Sequence, residues 1–116
     1  MDIEELQKKV IEFRDARDWG QYHNPKDLAI SLSLEASELL EIFQWKDAQE
    51  VEGIKSDSEG RKRVKEELGD ILIYAPNMCH EFGFDPSEVI LEKLDINEKK
   101  YPVEKTKGSA KKYTQS

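Results

Sequence analysis

Cysteine is almost absent from this chain of 116 residues: Cys79 stands alone, so no intrachain disulfide can form and nothing points to an oxidising compartment. No apolar run approaches the ~20 residues of a membrane span. The opening MDIEELQKKV has neither the basic start nor the apolar stretch of a secretory leader, and a cytoplasmic location is the expectation. No Gly/Pro-rich stretch divides the chain, which favours one domain. Positive charge is also in deficit. The 18 Lys and Arg against 25 Asp and Glu leave a formal −7, which argues against partnership with a nucleic-acid polymer or an anionic membrane, since both draw on a basic face. An acidic protein that handles phosphates needs a metal cation.

Charged residues and the hydrophobic set each make up 37% of the chain, so its core is adequate but thin, and a second copy could complete some apolar surface. The charge is uneven. Residues 103–116 carry Lys105, Lys107, Lys111 and Lys112 against Glu104, a local +3, which leaves −10 on the other 102 residues. This divides the chain into a helical domain, 1–102, and a basic C-terminal arm, 103–116, expected to be extended.

Apolar residues recur at helical spacing while strand-like alternation is missing, which predicts an all-α fold of the four-helix-bundle type. Asp2 with Glu5 forms a capping-box arrangement for a first helix whose stripe is Ile3, Leu6, Val10 and Phe13, running up to Trp19 and Gly20. Asn24-Pro25 with Asp27 starts a second helix that extends to about Trp45. After a polar stretch, 47–60, a third helix begins near Ser58 and continues to residues 81–83. Pro76 inside it removes a backbone hydrogen bond and is expected to kink or shorten it. Asp85-Pro86 starts the fourth helix, and Pro102 stops it after Tyr101.

Two carboxylates occupy positions that these patterns assign to buried stripes. In helix two the series Leu28, Leu32, Glu35, Leu39, Ile42 places Glu35 in an apolar seam. In helix three the series Val64, Glu67, Ile71, Tyr74, Met78 does the same with Glu67. Each has an acidic companion three residues on, Glu38 and Asp70, which projects from a neighbouring point of the same face. If the seams pack together, four carboxylates converge and oppose folding unless a divalent cation joins them. Oxygen-only ligands favour Mg²⁺, with Mn²⁺ as a substitute, over zinc. A di-iron bundle needs Glu-x-x-His on two helices, and neither His23 nor His80 follows a glutamate so. Acidic pairs are also common on solvated faces, and that reading stays open beside the metal site. Glu41, Glu59 and Glu66 read as solvated charges, although Glu41 or Glu66 could assist a second ion.

With these residues in view, the chain resembles the MazG-like all-α nucleoside triphosphate pyrophosphohydrolases, most closely the dCTP pyrophosphatase branch. The resemblance rests on Glu35-Ala36-Ser37-Glu38 followed by Glu67-Leu68-Gly69-Asp70. It extends over Arg17-Asp18-Trp19, Tyr22-His23-Asn24-Pro25, Phe43-Gln44-Trp45-Lys46, Asp70-Ile71-Leu72-Ile73-Tyr74, Lys93-Leu94-Asp95-Ile96-Asn97, Lys100-Tyr101-Pro102-Val103 and Lys111-Lys112-Tyr113-Thr114. These blocks span nearly the whole chain in order.

The resemblance implies that Glu35, Glu38, Glu67 and Asp70 hold Mg²⁺, and that a carboxylate-bound water cleaves a nucleoside triphosphate to monophosphate and pyrophosphate. Glu38 is assigned as the base. The substrate class implied is dCTP or a related pyrimidine deoxynucleotide, in the service of nucleotide-pool house-cleaning. Trp19 and Trp45 become candidates for stacking on the base, against core or dimer packing as the other role of each. His23 is placed at base or sugar and Tyr74 under the sugar. Lys93 and Asn97, i,i+4 on one helix, are placed at phosphate and nucleotide, and Lys112 and Tyr113 over the triphosphate. A homodimer, or a tetramer made of two dimers, is implied as well. Two non-catalytic readings stand beside the enzyme: an acidic helical oligomer that binds a partner helix, and a nucleotide-binding protein without turnover.

Overall fold

The computed structural model describes residues 1–106 and 108, and every regular element among them is helical. Helix α1, Ile3–Ala16, opens on Asp2, whose carboxylate accepts the Glu5 N–H at 2.8 Å. A 3-10 turn, Gly20–Tyr22, leads to α2, Pro25–Glu41, capped by Asn24 through the Asp27 N–H at 2.9 Å. The capping residues read from the sequence therefore do satisfy the orphan donors of the first turns. Helix α2 ends four residues short of Trp45, and 42–45 continue as turns.

The polar stretch 47–60 is not all loop. It holds a short helix, α3, Ala48–Ile54, started by a capping box in which Asp47 and Glu50 each accept the other's backbone N–H. Helix α4, Ser58–Phe82, begins at Asp57 and ends at Gly83, whose φ of 68° places it in the left-handed region open to glycine. Between them the α3–α4 corner is tight. A Cβ on Gly60 would lie 2.9 Å from Ile54 Cγ2 and 3.0 Å from Asp57 Oδ2.

Pro76 neither shortens nor interrupts α4, contrary to expectation. One ladder bond is lost, but side chains bond the backbone on either side: Gln7 Nε2 donates to the Pro76 carbonyl at 3.2 Å and Asn77 Nδ2 to the Ile73 carbonyl at 3.0 Å. Helix α5, Pro86–Lys100, follows its Asp85 cap. The arm is not extended throughout, because Val103–Thr106 forms one further turn of helix, α6.

The principal seam is α2 against α4, with α1 packed on α4 and α5, and α3 against the start of α4. Leu28 and Ile42 at the ends of the α2 stripe are buried, and Leu32, Glu35 and Leu39 between them are half-buried, as the 4-3-4-3 series predicts. On α4, all of Val64, Glu67, Ile71, Tyr74 and Met78 are half-buried. The α1 stripe departs from expectation. Leu6 and Phe13 are exposed, and the inward face is Ile3, Gln7, Val10 and Arg14.

Much apolar surface remains uncovered. Trp45 is 88% exposed and Leu72 67%, and a groove of about 1070 Å³ opens between α3 and α4. Phe43, Val51 and Leu68 line it beneath a basic rim that includes Lys55 and Lys62.

Candidate active site

The α2–α4 seam brings three of the four predicted carboxylates together. Oxygens of Glu35, Glu38 and Glu67 all lie within 4.8 Å of one another, close enough to ligate a single cation. Helical geometry explains the grouping: Glu35 and Glu38 share a face of α2, and Glu67 meets them from α4 because the two stripes interlock. Asp70 is exposed and stands outside that trio, although its charge still acts on both Glu35 and Glu67.

The arrangement is electrostatically uncomfortable without a cation. Glu35 Oε2 and Glu67 Oε2 are buried and have no hydrogen-bond partner. Burial first, then a hydrogen bond shared with Glu67, then the charges of Asp70 and Glu38 push the Glu35 carboxyl up to about 7. For Glu67 the bond with Glu35 acts downward, but burial together with Glu38 and Asp70 outweighs it and the carboxyl is raised. A proton between Glu35 and Glu67 relieves the pair when acid is available. At neutral pH a divalent cation does so better, because it serves both orphaned oxygens at once. The donor set is oxygen alone, with no imidazole or thiol in the trio, and it fits a hard ion such as Mg²⁺ or Mn²⁺.

The other residues singled out in the sequence lie on several elements. Trp19, just after α1, is half-exposed and meets Phe13 edge-on at 5.9 Å, while the Arg17 guanidinium lies over the Phe13 ring at 3.6 Å. His23 is half-buried, and its Nδ1 is buried without a partner. Trp45 projects from the turn after α2. Tyr74 is half-buried on the α4 stripe, one turn past Asp70. Lys93 is exposed and Asn97 half-buried on α5, which packs on α1. Lys112 and Tyr113 lie outside the described residues.

Two polar residues on the inner faces were not anticipated, Arg14 at 8% exposure and Asn77 at 2%. A signal for Arg14 was present. It continues the 4-3-4 series Ile3, Gln7, Val10, Arg14, the same polar interruption of a seam that marks Glu35 and Glu67.

The profile of the MazG-like family matches residues 30–115. The dCTP pyrophosphatase 1 of Bos taurus is 38% identical over 112 residues, and that of Homo sapiens 35% identical over 113 residues. Both alignments cover 97% of this chain, which spans 66% of the length of each relative. A crystal structure of a pyrophosphatase from Archaeoglobus fulgidus DSM 4304 superposes with a TM-score of 0.77 at 43% identity, covering 86% of this chain and 92% of that one.

Proposed function

Since the chain belongs to the MazG-like family, we propose that it is a metal-dependent nucleoside triphosphate pyrophosphohydrolase that uses Mg²⁺. The observation that carries the reading is the Glu35, Glu38 and Glu67 trio with its two orphaned buried oxygens. The names of the similar proteins, dCTP pyrophosphatases and a pyrophosphatase, support the same reaction class.

Glu35, Glu38, Glu67 and Asp70 would hold the ion, Glu35 and Glu67 fixed by the seam in which they are half-buried and Asp70 joining from one turn further along α4. A Mg²⁺ held there would supply charge neutralisation at phosphate oxygens and make the attacking water easier to deprotonate. Glu38 is the exposed member of the trio. It takes a proton from the attacking water as the water oxygen bonds to phosphorus. The bond linking the α and β phosphates breaks, giving nucleoside monophosphate and pyrophosphate.

Trp19, Trp45, His23 and Tyr74 contact base and sugar, Lys93 and Asn97 phosphate and nucleotide, and Lys112 and Tyr113 the triphosphate. A pyrimidine deoxynucleotide such as dCTP is the preferred substrate, and clearing the nucleotide pool is the role. Two or four copies of the chain assemble, which covers the groove and the exposed leucines of α4. No helix among the described residues is long and apolar enough to cross a membrane, in keeping with action in the cytoplasm.

Incubation with each common dNTP and NTP, with 5-methyl-dCTP added to the panel, tests this reading when products are separated by anion exchange. Monophosphate and pyrophosphate formed with Mg²⁺ and not with EDTA are the expected products, fastest from a pyrimidine deoxynucleotide. Absence of cleavage across the panel would transfer the trio to one of the non-catalytic readings.

A further inference from the structure

Arg14 is the one buried charged residue among the described residues, at 8% exposure, and the reaction proposed above makes no use of it. Its guanidinium is folded against its own helix end. Nε donates to Asp15 Oδ1 at 3.0 Å, Nη2 forms an ion pair with the same oxygen at 3.0 Å, and Nη1 lies 3.9 Å from Glu81 Oε2 on α4. Its backbone carbonyl accepts from two residues of the following turn, Arg17 N–H at 3.2 Å and Trp19 N–H at 3.1 Å.

Gly20 lies directly against this group. A Cβ there would stand 3.4 Å from both Cζ and Nε of Arg14 and 3.5 Å from Nη2, in van der Waals contact with the guanidinium. Alanine fits at that distance, whereas a β-branched side chain adds bulk beside a guanidinium that Asp15 and Glu81 already engage. From this contact the chain turns tightly, with Tyr22 N–H bonded to the Trp19 carbonyl at 2.9 Å and His23 N–H to the Gly20 carbonyl at 3.1 Å. Trp19 and His23 flank the turn, and His23 holds its buried Nδ1 without a partner.

We infer that Arg14 is a positioning residue for nucleotide recognition: with Gly20 packed on its guanidinium and Asp15 and Glu81 as its counter-charges, it fixes the turn that presents Trp19 and His23. The inference rests on the reading that those two side chains contact base and sugar. Arg14 itself touches no substrate. It ties the recognition turn to α4, the helix that carries Glu67 and Asp70. Loosening it therefore weakens and blurs nucleotide binding while the metal-holding carboxylates stay as they are. Lysine keeps a charge for Glu81 but lacks the planar guanidinium that bonds Asp15 through Nε and packs on Gly20, so it rescues only in part.

The experiment uses the full chain in three variants, Arg14→Gln, Arg14→Lys and Gly20→Val, each checked for native helical circular dichroism. KM for the preferred nucleotide is expected to rise about tenfold in Arg14→Gln and Gly20→Val and less in Arg14→Lys. The spread of KM across nucleotides narrows, and kcat and the half-saturating Mg²⁺ concentration stay within about twofold. A parallel readout needs no turnover: acrylamide quenching of Trp19 fluorescence in a Trp45→Phe background is expected to increase in Arg14→Gln and Gly20→Val. Unchanged quenching, or unchanged KM ratios in a wild type that turns over, overturns the inference. Increased quenching in a protein that hydrolyses nothing upholds the positioning of the turn and removes the reading of Trp19 and His23 as nucleotide contacts. Loss of kcat and Mg²⁺ affinity together would assign Arg14 to the carboxylate site instead.

Discussion

Glu35 on α2 and Glu67 on α4 face one another across the main seam, each with an Oε2 that is buried and unpartnered. Two helices pack tightly here around a pair of groups that repel one another. A cation is the simplest species that turns the conflict into a favourable arrangement.

The conflict has a pH signature in the absence of metal. Glu35 titrates at about 7 in the folded chain against an ordinary value of 4.5, so the folded state holds a proton that the unfolded state releases. Below 4.5 both states are protonated and no penalty arises. The penalty grows as pH rises from 4.5 to 7 and is complete above that. In EDTA, thermal unfolding is therefore expected at a lower temperature at pH 8 than at pH 5. Glu35→Gln, or Mg²⁺ in excess, should flatten the dependence. An equal or higher Tm at pH 8 for the metal-free wild type contradicts the account.

Pro76 offers a stability test away from the carboxylates. Alanine at this position restores an N–H to the ladder inside a continuous helix. The Gln7 bond, made to the carbonyl of residue 76, survives the substitution. Urea unfolding of Pro76→Ala should show a gain of about 1–3 kcal/mol with unchanged m. A loss would mean that the ring's packing outweighs the missing bond.

Exposed apolar side chains predict self-association. Leu72, 67% exposed, and Leu68, 42% exposed, lie on α4 beside the groove. The double substitution Leu68→Glu and Leu72→Glu should convert a sedimenting dimer or tetramer to monomer at micromolar concentration. A wild type that sediments as a monomer contradicts the assembly.

Much of this site was legible in the sequence, because a carboxylate inside a 4-3-4 apolar series is a local pattern and α2 and α4 obey it. In α1 the apolar pattern misleads: Leu6 and Phe13 look like core and are exposed, while Gln7 and Arg14 turn inward. Their partners explain why. Gln7 bonds a carbonyl 69 residues away, and Arg14 draws on Glu81 and Gly20, none of which periodicity within α1 reveals. Helix α3 was hidden by its polar sequence, although Asp47-x-x-Glu50 ahead of Val51 and Ile54 is a capping signal. Asp70 joins the carboxylates in the sequence through both its spacing and the Glu-x-x-Asp pattern, and its charge does act on Glu35 and Glu67. Its rotation three residues beyond Glu67 leaves it on the exposed side of the seam.

The most direct measurement compares wild type with Glu38→Gln, both supplied with dCTP in Mg²⁺, with monophosphate and pyrophosphate quantified over time. The amide is nearly isosteric but cannot accept the proton from water, so the account predicts a fall in kcat of about 10²–10⁴-fold with helical content and assembly unchanged. Turnover by Glu38→Gln at the wild-type rate would contradict it and remove Glu38 from the chemistry.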